Sequence, residues 1–276
     1  RTDVIVVGAG LGGLSVAAHL AQAGRKVRLL ERHVQPGGYA TTFVRERFEF
    51  EVSLHALSGI GTPGQRGDLW DTLQRLGITD HVEFLPIEPL YRCIAPGVDL
   101  RVPSGWEAAE NTFCDAFPHQ AEGLRNLLRQ IRAVQEEVLV MTRKEGMNPS
   151  PVVAATKYPH VAHAALTPLA DSLNRELSDP AARLAFAQLW AYYGMPPSQC
   201  SMLYFAMGNA AYFRWGAAYP KGKSQALSNA FVAAIERFGG EVSLGTGVKQ
   251  ILVEGGRVAG VITDRGPIDA PVVVNC

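Results

Sequence analysis

The sequence has few cysteines, no surplus of charge of either sign and no long uncharged apolar run, and each absence removes a class of function. Its four cysteines, Cys93, Cys114, Cys200 and Cys276, stand far apart and form no CxxC pair. Neither the ligand spacing of a zinc site nor the framework of a disulfide-stapled domain is present, so a reducing, cytoplasmic setting is expected. Lys plus Arg and Asp plus Glu both number 26. A nucleic-acid partner demands a cationic surplus to neutralise phosphates, so none is expected. No run of about 18 uncharged apolar residues occurs, so no bilayer-spanning helix is expected. The most apolar tract, Val152 to Leu173, is interrupted by Lys157, Pro159, His160 and Pro168. His119, His160 and His163 have no acid or cysteine at ligand spacing, and Ser201 lies outside any GxSxG context, so metal and nucleophilic-hydrolase readings find no support. No signal-peptide pattern precedes Val4. The chain opens at Arg1 without Met and stops at Cys276 directly after a strand-like run, which suggests a piece of a longer protein.

What is present is concentrated at the amino terminus. Asp3 to Val7 is a short β-branched run of the kind that forms a buried parallel strand. Gly8-Ala9-Gly10-Leu11-Gly12-Gly13 follows at once, then a helical pattern from Leu14 to Ala23 that Gly24 ends, then a second apolar strand from Val27 to Leu30 closed by Glu31. Each part has a physical task. Gly8 permits the tight turn out of the strand, Gly10 lets backbone approach a pyrophosphate, and Gly13 lets the helix pack closely on the sheet. The helix start offers N–H groups and partial positive charge to phosphates. Glu31, 18 residues beyond Gly13, stands where a carboxylate accepts both ribose hydroxyls of an adenosine, and it disfavours a 2′-phosphate there. Strand, glycines, helix, strand and acid in this order predict dinucleotide binding. A second glycine pair, Gly37-Gly38, follows where an NAD-binding fold would continue into a helix.

Farther on, Phe48 to Leu54 alternates like a half-exposed strand, and His55 to Gly67 reads as a glycine-rich loop. Asp68 to Leu76 reads as a short helix, Val82 to Val102 as two or three short strands, Gln120 to Lys144 as a long amphipathic helix, and Pro151 to Tyr193 as helical pieces separated at Pro159, Pro168 and Pro180. Lys223 to Phe238 is helical, followed by strands at Glu241–Leu244, Val248–Glu254, Arg257–Thr263 and Ile268–Asn275, with a hairpin turn at Glu254 to Arg257. The expected fold class is α/β: a Rossmann-type domain formed discontinuously by residues 1–79 and 219–276, with a mostly helical substrate domain, 80–218, inserted in it.

Two stretches carry a family resemblance. "ERHVQPGGYATTF", Glu31 to Phe43, resembles the loop of flavoproteins in the amine oxidase and phytoene desaturase superfamily. "YYGMPPSQCS", "YPKGKSQALSNAF", "GGEVSLGTGVKQI" and "VVVNC" resemble, in the same order, segments of the phytoene desaturase, carotenoid isomerase and retinol saturase group. The resemblance implies FAD as cofactor. It implies contacts from Gly8, Ala9, Gly10, Leu11, Gly12, Gly13, Glu31 and Arg32 at the nucleotide end, and from Gly37, Gly38, Tyr39 and Thr42 along the diphosphate and ribityl chain. Val248 would meet the adenine, and Cys276 would lie near the pyrophosphate. Tyr39 stands where many members have Arg. The resemblance also places the turn holding Tyr219, Pro220 and Gly222 between flavin and substrate, with Lys223 replacing the second glycine of the commoner YPxGG form. Members carry a further carboxy-terminal segment that closes over the flavin, and this chain stops before it.

The resemblance, together with a dense set of aromatics between Trp190 and Tyr219, implies an FAD-dependent oxidoreductase acting on a lipophilic polyene, by desaturation, saturation or flavin-assisted isomerisation. The aromatics read equally well as core. His55 is the first candidate for proton transfer, since histidine is the side chain that titrates near neutrality; a loop histidine bonded to backbone is the plainer reading. Lys221 either places positive charge near the flavin or faces solvent. Two other readings share the first motif: an amine oxidase-like flavoenzyme, and a carrier of prenyl groups in the style of the GDP-dissociation inhibitors. An apolar substrate implies peripheral membrane contact, with the Val152 to Leu173 tract as the candidate surface.

Overall fold

The structure, a computed structural model, describes residues 2–146 and 149–276. It divides into two compact units: Arg1–Leu57, Asp68–Pro86 and Ala218–Cys276 form one, and Ser58–Gly67 with Ile87–Ala217 form the other. Against the expected division, the loop 58–67 goes with the helical unit and residues 80–86 go with the nucleotide-type unit. The second assignment has visible causes: the amide of Lys221 donates to the carbonyl of Glu83 at 2.8 Å, and Phe84 meets Trp70 edge-on with ring centroids 6.3 Å apart.

The first unit is built on a four-stranded parallel sheet in the order Glu241–Ser243, Val27–Leu30, Val4–Val7, Val272–Asn275. Its two central strands, VIVV and VRLL, are short β-branched and aliphatic runs with Ile5, Val6 and Leu29 sealed from solvent, as a sheet covered on both faces requires. The helix Leu11–Gln22 presents Leu14, Ala17, Ala18 and Ala21 to that core, and the helix Lys223–Arg237 contributes Leu227, Phe231, Ala234 and Ile235. Each buried leucine, isoleucine or phenylalanine among these stabilises the unit by roughly 1.5–3 kcal/mol relative to exposure.

The last expected strand, Ile268–Asn275, is two strands. Gly266–Asp269 pairs antiparallel with Arg257–Thr263, which in turn pairs with Val248–Glu254, whereas Val272–Asn275 joins the parallel sheet beside Val4–Val7. Pro271 sits at the break, where it has no N–H to give a ladder, so the chain changes sheets there. The expected strand Phe48–Leu54 is shorter, Phe48–Glu51, and pairs antiparallel with Thr42–Arg45.

The second unit is mostly helical. Its spine is Ala121–Glu145, which buries Leu124, Leu127, Leu128, Ile131, Val134, Val138 and Met141 at helical spacing. Proline and small polar residues set the neighbouring helix starts: Ser150 Oγ accepts from the Val153 amide at 3.3 Å before Pro151, and Asp179 Oδ1 accepts from the Ala181 amide at 2.7 Å before Pro180. Ser201 does the same for Met202–Trp215, accepting from the Tyr204 amide at 3.2 Å, so its hydroxyl is a helix cap. The aromatics of this region go largely to packing. Phe205 and Phe213 are buried, Phe186 lies 6.4 Å from Phe205, and Tyr193 lies 5.7 Å from it. The Val152 to Leu173 tract packs in as well: Val161, Ala164, Leu169 and Leu173 are buried, and Val152 and Leu166 are its strongly exposed aliphatics. Among the described residues no helix is long and apolar enough to cross a membrane.

Candidate dinucleotide-binding site

The first unit carries a crevice of about 670 Å³ at the carboxyl ends of its parallel strands, lined by Val7, Gly8, Gly10, Leu11, Leu30, Glu31, Arg32, Gly37, Gly38, Tyr39, Ala40, Thr246, Val248 and Cys276. Such an end of an open α/β sheet is where ligands bind. The three glycines of the first turn have different work, and the geometry separates them. Gly8 holds φ +96°, and a Cβ there would stand 2.7 Å from the Cys276 carbonyl oxygen. A Cβ on Gly13 would stand 1.9 Å from the Gly8 carbonyl oxygen, so that residue fixes how closely the helix lies on the strand. A Cβ on Gly10 would meet nothing within 4 Å. The space above Gly10 is therefore open, and it faces the start of a helix whose cap residue, Gly10 itself, offers no side chain to the first turn. N–H groups so placed suit a diphosphate.

Glu31 is oriented before any ligand arrives. Its Oε2 accepts from the Ala9 amide at 2.7 Å and its Oε1 from the His33 amide at 2.8 Å. Each carboxylate oxygen has a lone pair left for a ribose hydroxyl. The carbonyl of Glu31 accepts from the Thr246 amide at 2.7 Å, which draws Thr246 and Val248 to the same end of the crevice.

The second glycine pair closes the other side. The Gly37 amide donates to the Ala9 carbonyl at 2.7 Å, and Gly10 and Gly37 form a parallel bridge. A Cβ on Gly38 would lie 3.2 Å from Gly10 Cα, and one on Gly37 would lie 2.3 Å from the Ala40 carbonyl oxygen. The two glycine turns thus meet as bare backbone. The donor set and the open cradle fit the adenosine diphosphate part of a dinucleotide.

Of the residues expected at the cofactor, Gly8, Gly10, Leu11, Glu31, Arg32, Gly37, Gly38, Tyr39, Val248 and Cys276 line the crevice together. Ala9 and Gly13 shape it from outside the lining, Ala9 through its amide on Glu31 and Gly13 through its close approach to the Gly8 carbonyl, whereas Gly12 is exposed and outside the lining. Thr42 is placed elsewhere: it is buried, and its hydroxyl donates to Glu49 Oε1 at 2.9 Å. Val7, Leu30, Ala40 and Thr246 were not singled out from the sequence. Thr246 had a usable signal, since it sits in the "GTG" turn between two strands that converge on the acid's end of the sheet.

The other candidates lie along a second neighbourhood of the same unit. Leu57 and Ala218 exchange backbone hydrogen bonds at 2.8 and 2.9 Å, which sets the loop bearing exposed His55 beside the start of the Tyr219 turn. Tyr219 donates its hydroxyl to Glu51 Oε2 at 2.5 Å; burial first, and then this carboxylate, push the phenol up. Pro220 is buried and Gly222 is exposed with φ +85°. Lys221 is exposed, and its Nζ lies 2.6 Å from Glu83 Oε2. Lys223, where the commoner motif has glycine, holds φ +66°. The position keeps the left-handed backbone of a glycine, and the lysine's Nζ is tied to Glu49 Oε2 at 3.0 Å and to the Glu49 carbonyl at 2.9 Å. That lysine first, and Thr42 second, hold the Glu49 carboxyl below its ordinary range.

A strand–glycine turn–helix–strand–acid unit with an open phosphate cradle defines a Rossmann-type dinucleotide-binding protein, and residues 6–76 match the family model of the NAD(P)-binding Rossmann-like domain. Over 99% of its length the chain is 25% identical to an all-trans-retinol 13,14-reductase of Danio rerio, covering 47% of that protein. Over 98% of its length it is 30% identical to a phytoene dehydrogenase of Streptomyces griseus, covering 53%. The chain is similar to phytoene desaturases and retinol 13,14-reductases, and spans about half the length of these curated relatives. Solved structures agree on the fold. An oxidoreductase from Methanosarcina mazei matches 99% of the chain and 58% of its own with TM-score 0.67 at 21% identity. A putrescine oxidase bound to putrescine (57% of its chain, TM-score 0.65, 19% identity) and a Rab GDI from Plasmodium falciparum (65%, TM-score 0.59, 15% identity) also match over 99% of this chain.

Proposed function

We propose that the chain is the FAD-binding portion of an oxidoreductase whose substrate is a lipophilic polyene. The observation that supports it most is the meeting of two bare glycine turns, Gly8–Gly13 and Gly37–Gly38, across one crevice with Glu31 at its end. A single turn with an acid suffices for an adenosine; the second turn extends the backbone-lined path beyond the diphosphate, which an NAD site built on a helix at this point lacks. The names of the relatives, retinol reductase and phytoene desaturase, supply the substrate class.

In this reading Glu31 holds the ribose hydroxyls, the start of the helix Leu11–Gln22 and the amides near Gly10 hold the diphosphate, and Gly37 to Ala40 guide the chain toward the ring. A bound flavin supplies hydride exchange with a carbon centre. The chain's own contribution to that exchange is a proton carrier at His55 and a shaped turn at Tyr219, Pro220 and Gly222 against which substrate lies. Lys221, balanced by Glu83, adds fixed charge near that turn. A lipophilic substrate also implies that the whole protein works against a membrane surface.

The test uses the whole protein, anaerobically, with its flavin absorbance followed. Polyenes of about 20 to 40 carbons should change the flavin redox state or their own spectrum, and amines should not. Bleaching by amines with peroxide release on re-aeration would replace this reading with an amine oxidase. Retention of a prenylated peptide with no flavin bound at any FAD concentration would replace it with a carrier.

A further inference from the structure

The strand Phe48–Glu51 is inverted relative to an ordinary surface strand. Its aromatic residues Phe48 and Phe50 are exposed, whereas its carboxylates are both hydrogen-bonded, exposed Glu49 to Thr42 and half-buried Glu51 to Ser224. Glu51 receives three donors. The Tyr219 hydroxyl reaches Oε2 at 2.5 Å, the Ser224 amide reaches the same oxygen at 3.0 Å, and the Ser224 hydroxyl bonds Oε1. Ser224 is the second residue of the helix Lys223–Arg237, and that helix begins at Gly222, which has no side chain to cap it. A helix start leaves N–H groups in need of acceptors and favours a negative charge. Glu51 supplies both from another element.

The next residues of the same helix hold the crevice wall. Gln225 Nε2 donates to the Pro36 carbonyl at 3.2 Å, the Thr41 hydroxyl donates to Gln225 Oε1, and Ser228 Oγ donates to the Ala40 carbonyl at 2.7 Å. Residues 36–41 contain Gly37, Gly38, Tyr39 and Ala40, the second glycine turn of the crevice. There is little slack in this connection, because a Cβ on Gly37 would stand 2.7 Å from Ser228 Oγ. The adenosine end has anchors of its own in Glu31, the His33 amide and Thr246, and meets the second turn through Ala9, whose amide donates to Glu31 and whose carbonyl accepts from Gly37.

We propose that Glu51 is a positioning residue: by capping the helix Lys223–Arg237 it sets the second glycine turn at the spacing that a dinucleotide's diphosphate needs. This rests on the dinucleotide reading of the crevice. A purely structural role would weaken every ligand equally. A positioning role weakens those that reach the second turn and spares AMP, whose contacts lie at the adenosine end.

The experiment measures dissociation constants of FAD and AMP for the whole protein, freed of flavin, as wild type, Glu51→Gln and Gln225→Ala. Loss of a charge-assisted bond predicts FAD binding weakened roughly tenfold in Glu51→Gln, AMP binding within about twofold of wild type, and the same ratio change in Gln225→Ala. Unchanged FAD affinity in Glu51→Gln overturns the proposal, as does a parallel loss for both ligands. If Glu51→Gln does not fold, Gln225→Ala decides by the same ratio. A wild type that binds AMP and NAD but not FAD defeats the flavin reading alone; the ratio of NAD to AMP then tests the positioning role.

Discussion

Alanine at Gly13 and alanine at Gly10 should have opposite effects, although the two positions are three residues apart in one turn. At Gly13 the new Cβ would lie 1.9 Å from the Gly8 carbonyl oxygen and 3.1 Å from its carbon. A carbon–oxygen contact settles at about 3.3 Å, so helix and strand must separate by at least about 1.4 Å. The obstacle is backbone, which no side-chain rotation relieves. Overpacking of this kind costs about 3 kcal/mol, at the upper end of the usual range, and should lower the unfolding midpoint of the ligand-free protein by on the order of 5–10 °C. At Gly10 the backbone is already in a conformation alanine accepts, φ −67° and ψ 169°, and the Cβ meets no protein atom within 4 Å. Gly10→Ala should therefore leave ligand-free stability within about 1 kcal/mol of wild type. Its methyl instead fills the space assigned to the diphosphate, so FAD affinity should fall on the order of 100-fold, about 2.7 kcal/mol. Thermal unfolding without ligand and flavin fluorescence titration read the two effects separately. Gly10→Ala binding FAD like wild type, or Gly13→Ala with an unchanged midpoint, refutes the division of labour.

Three further outcomes follow from the site. Glu31→Gln should weaken FAD about tenfold and also lower ligand-free stability by about 1 kcal/mol, because the carboxylate serves the Ala9 and His33 amides before any ligand binds; a titration and a urea melt check both halves. Lys223→Gly should be more stable than Lys223→Ala by about 1 kcal/mol, since φ +66° strains any residue with a Cβ; equal stabilities in urea would mean that the left-handed conformation is not held. The Tyr219 phenol is raised in the folded state by burial and by Glu51. Its stabilising contribution is therefore complete below the ordinary tyrosine range of about 10 and is lost as pH climbs through the raised value. Tyr219→Phe should flatten the alkaline limb of the stability profile, and a limb unchanged by the substitution would contradict the raised phenol.

The parts of the fold legible in the sequence are those where local chemistry and tertiary structure agree. The run Val4–Val7, the glycine turn, and the prolines at 159 and 180 act where they stand in sequence, and the helix starts and strand ends coincide with them. What escaped depends on contacts between distant segments. The break of the last strand at Pro271 is visible as a proline, but the choice of two different sheets for its halves depends on Arg257–Thr263 and Val4–Val7. The carboxylate face of Phe48–Glu51 defies binary patterning, since Glu49 and Glu51 find partners on a helix more than 170 residues away. In the crevice, Glu31 and the glycines were legible because their chemistry requires those residue types. Thr246 and Ala40 contribute backbone or shape, which many residue types can supply, and so they leave a faint mark. Thr42, expected along the ribityl chain, lies outside the crevice lining and donates its hydroxyl to Glu49.

The most direct measurement is the visible absorption spectrum of the whole purified protein, before and after addition of FAD, with the released cofactor identified by mass. The account predicts a protein-bound flavin band near one equivalent per chain, reduced in Gly10→Ala at limiting FAD, and recovered from wild type as intact FAD. Wild-type protein that shows no flavin band even with FAD in excess, while remaining folded, would contradict it.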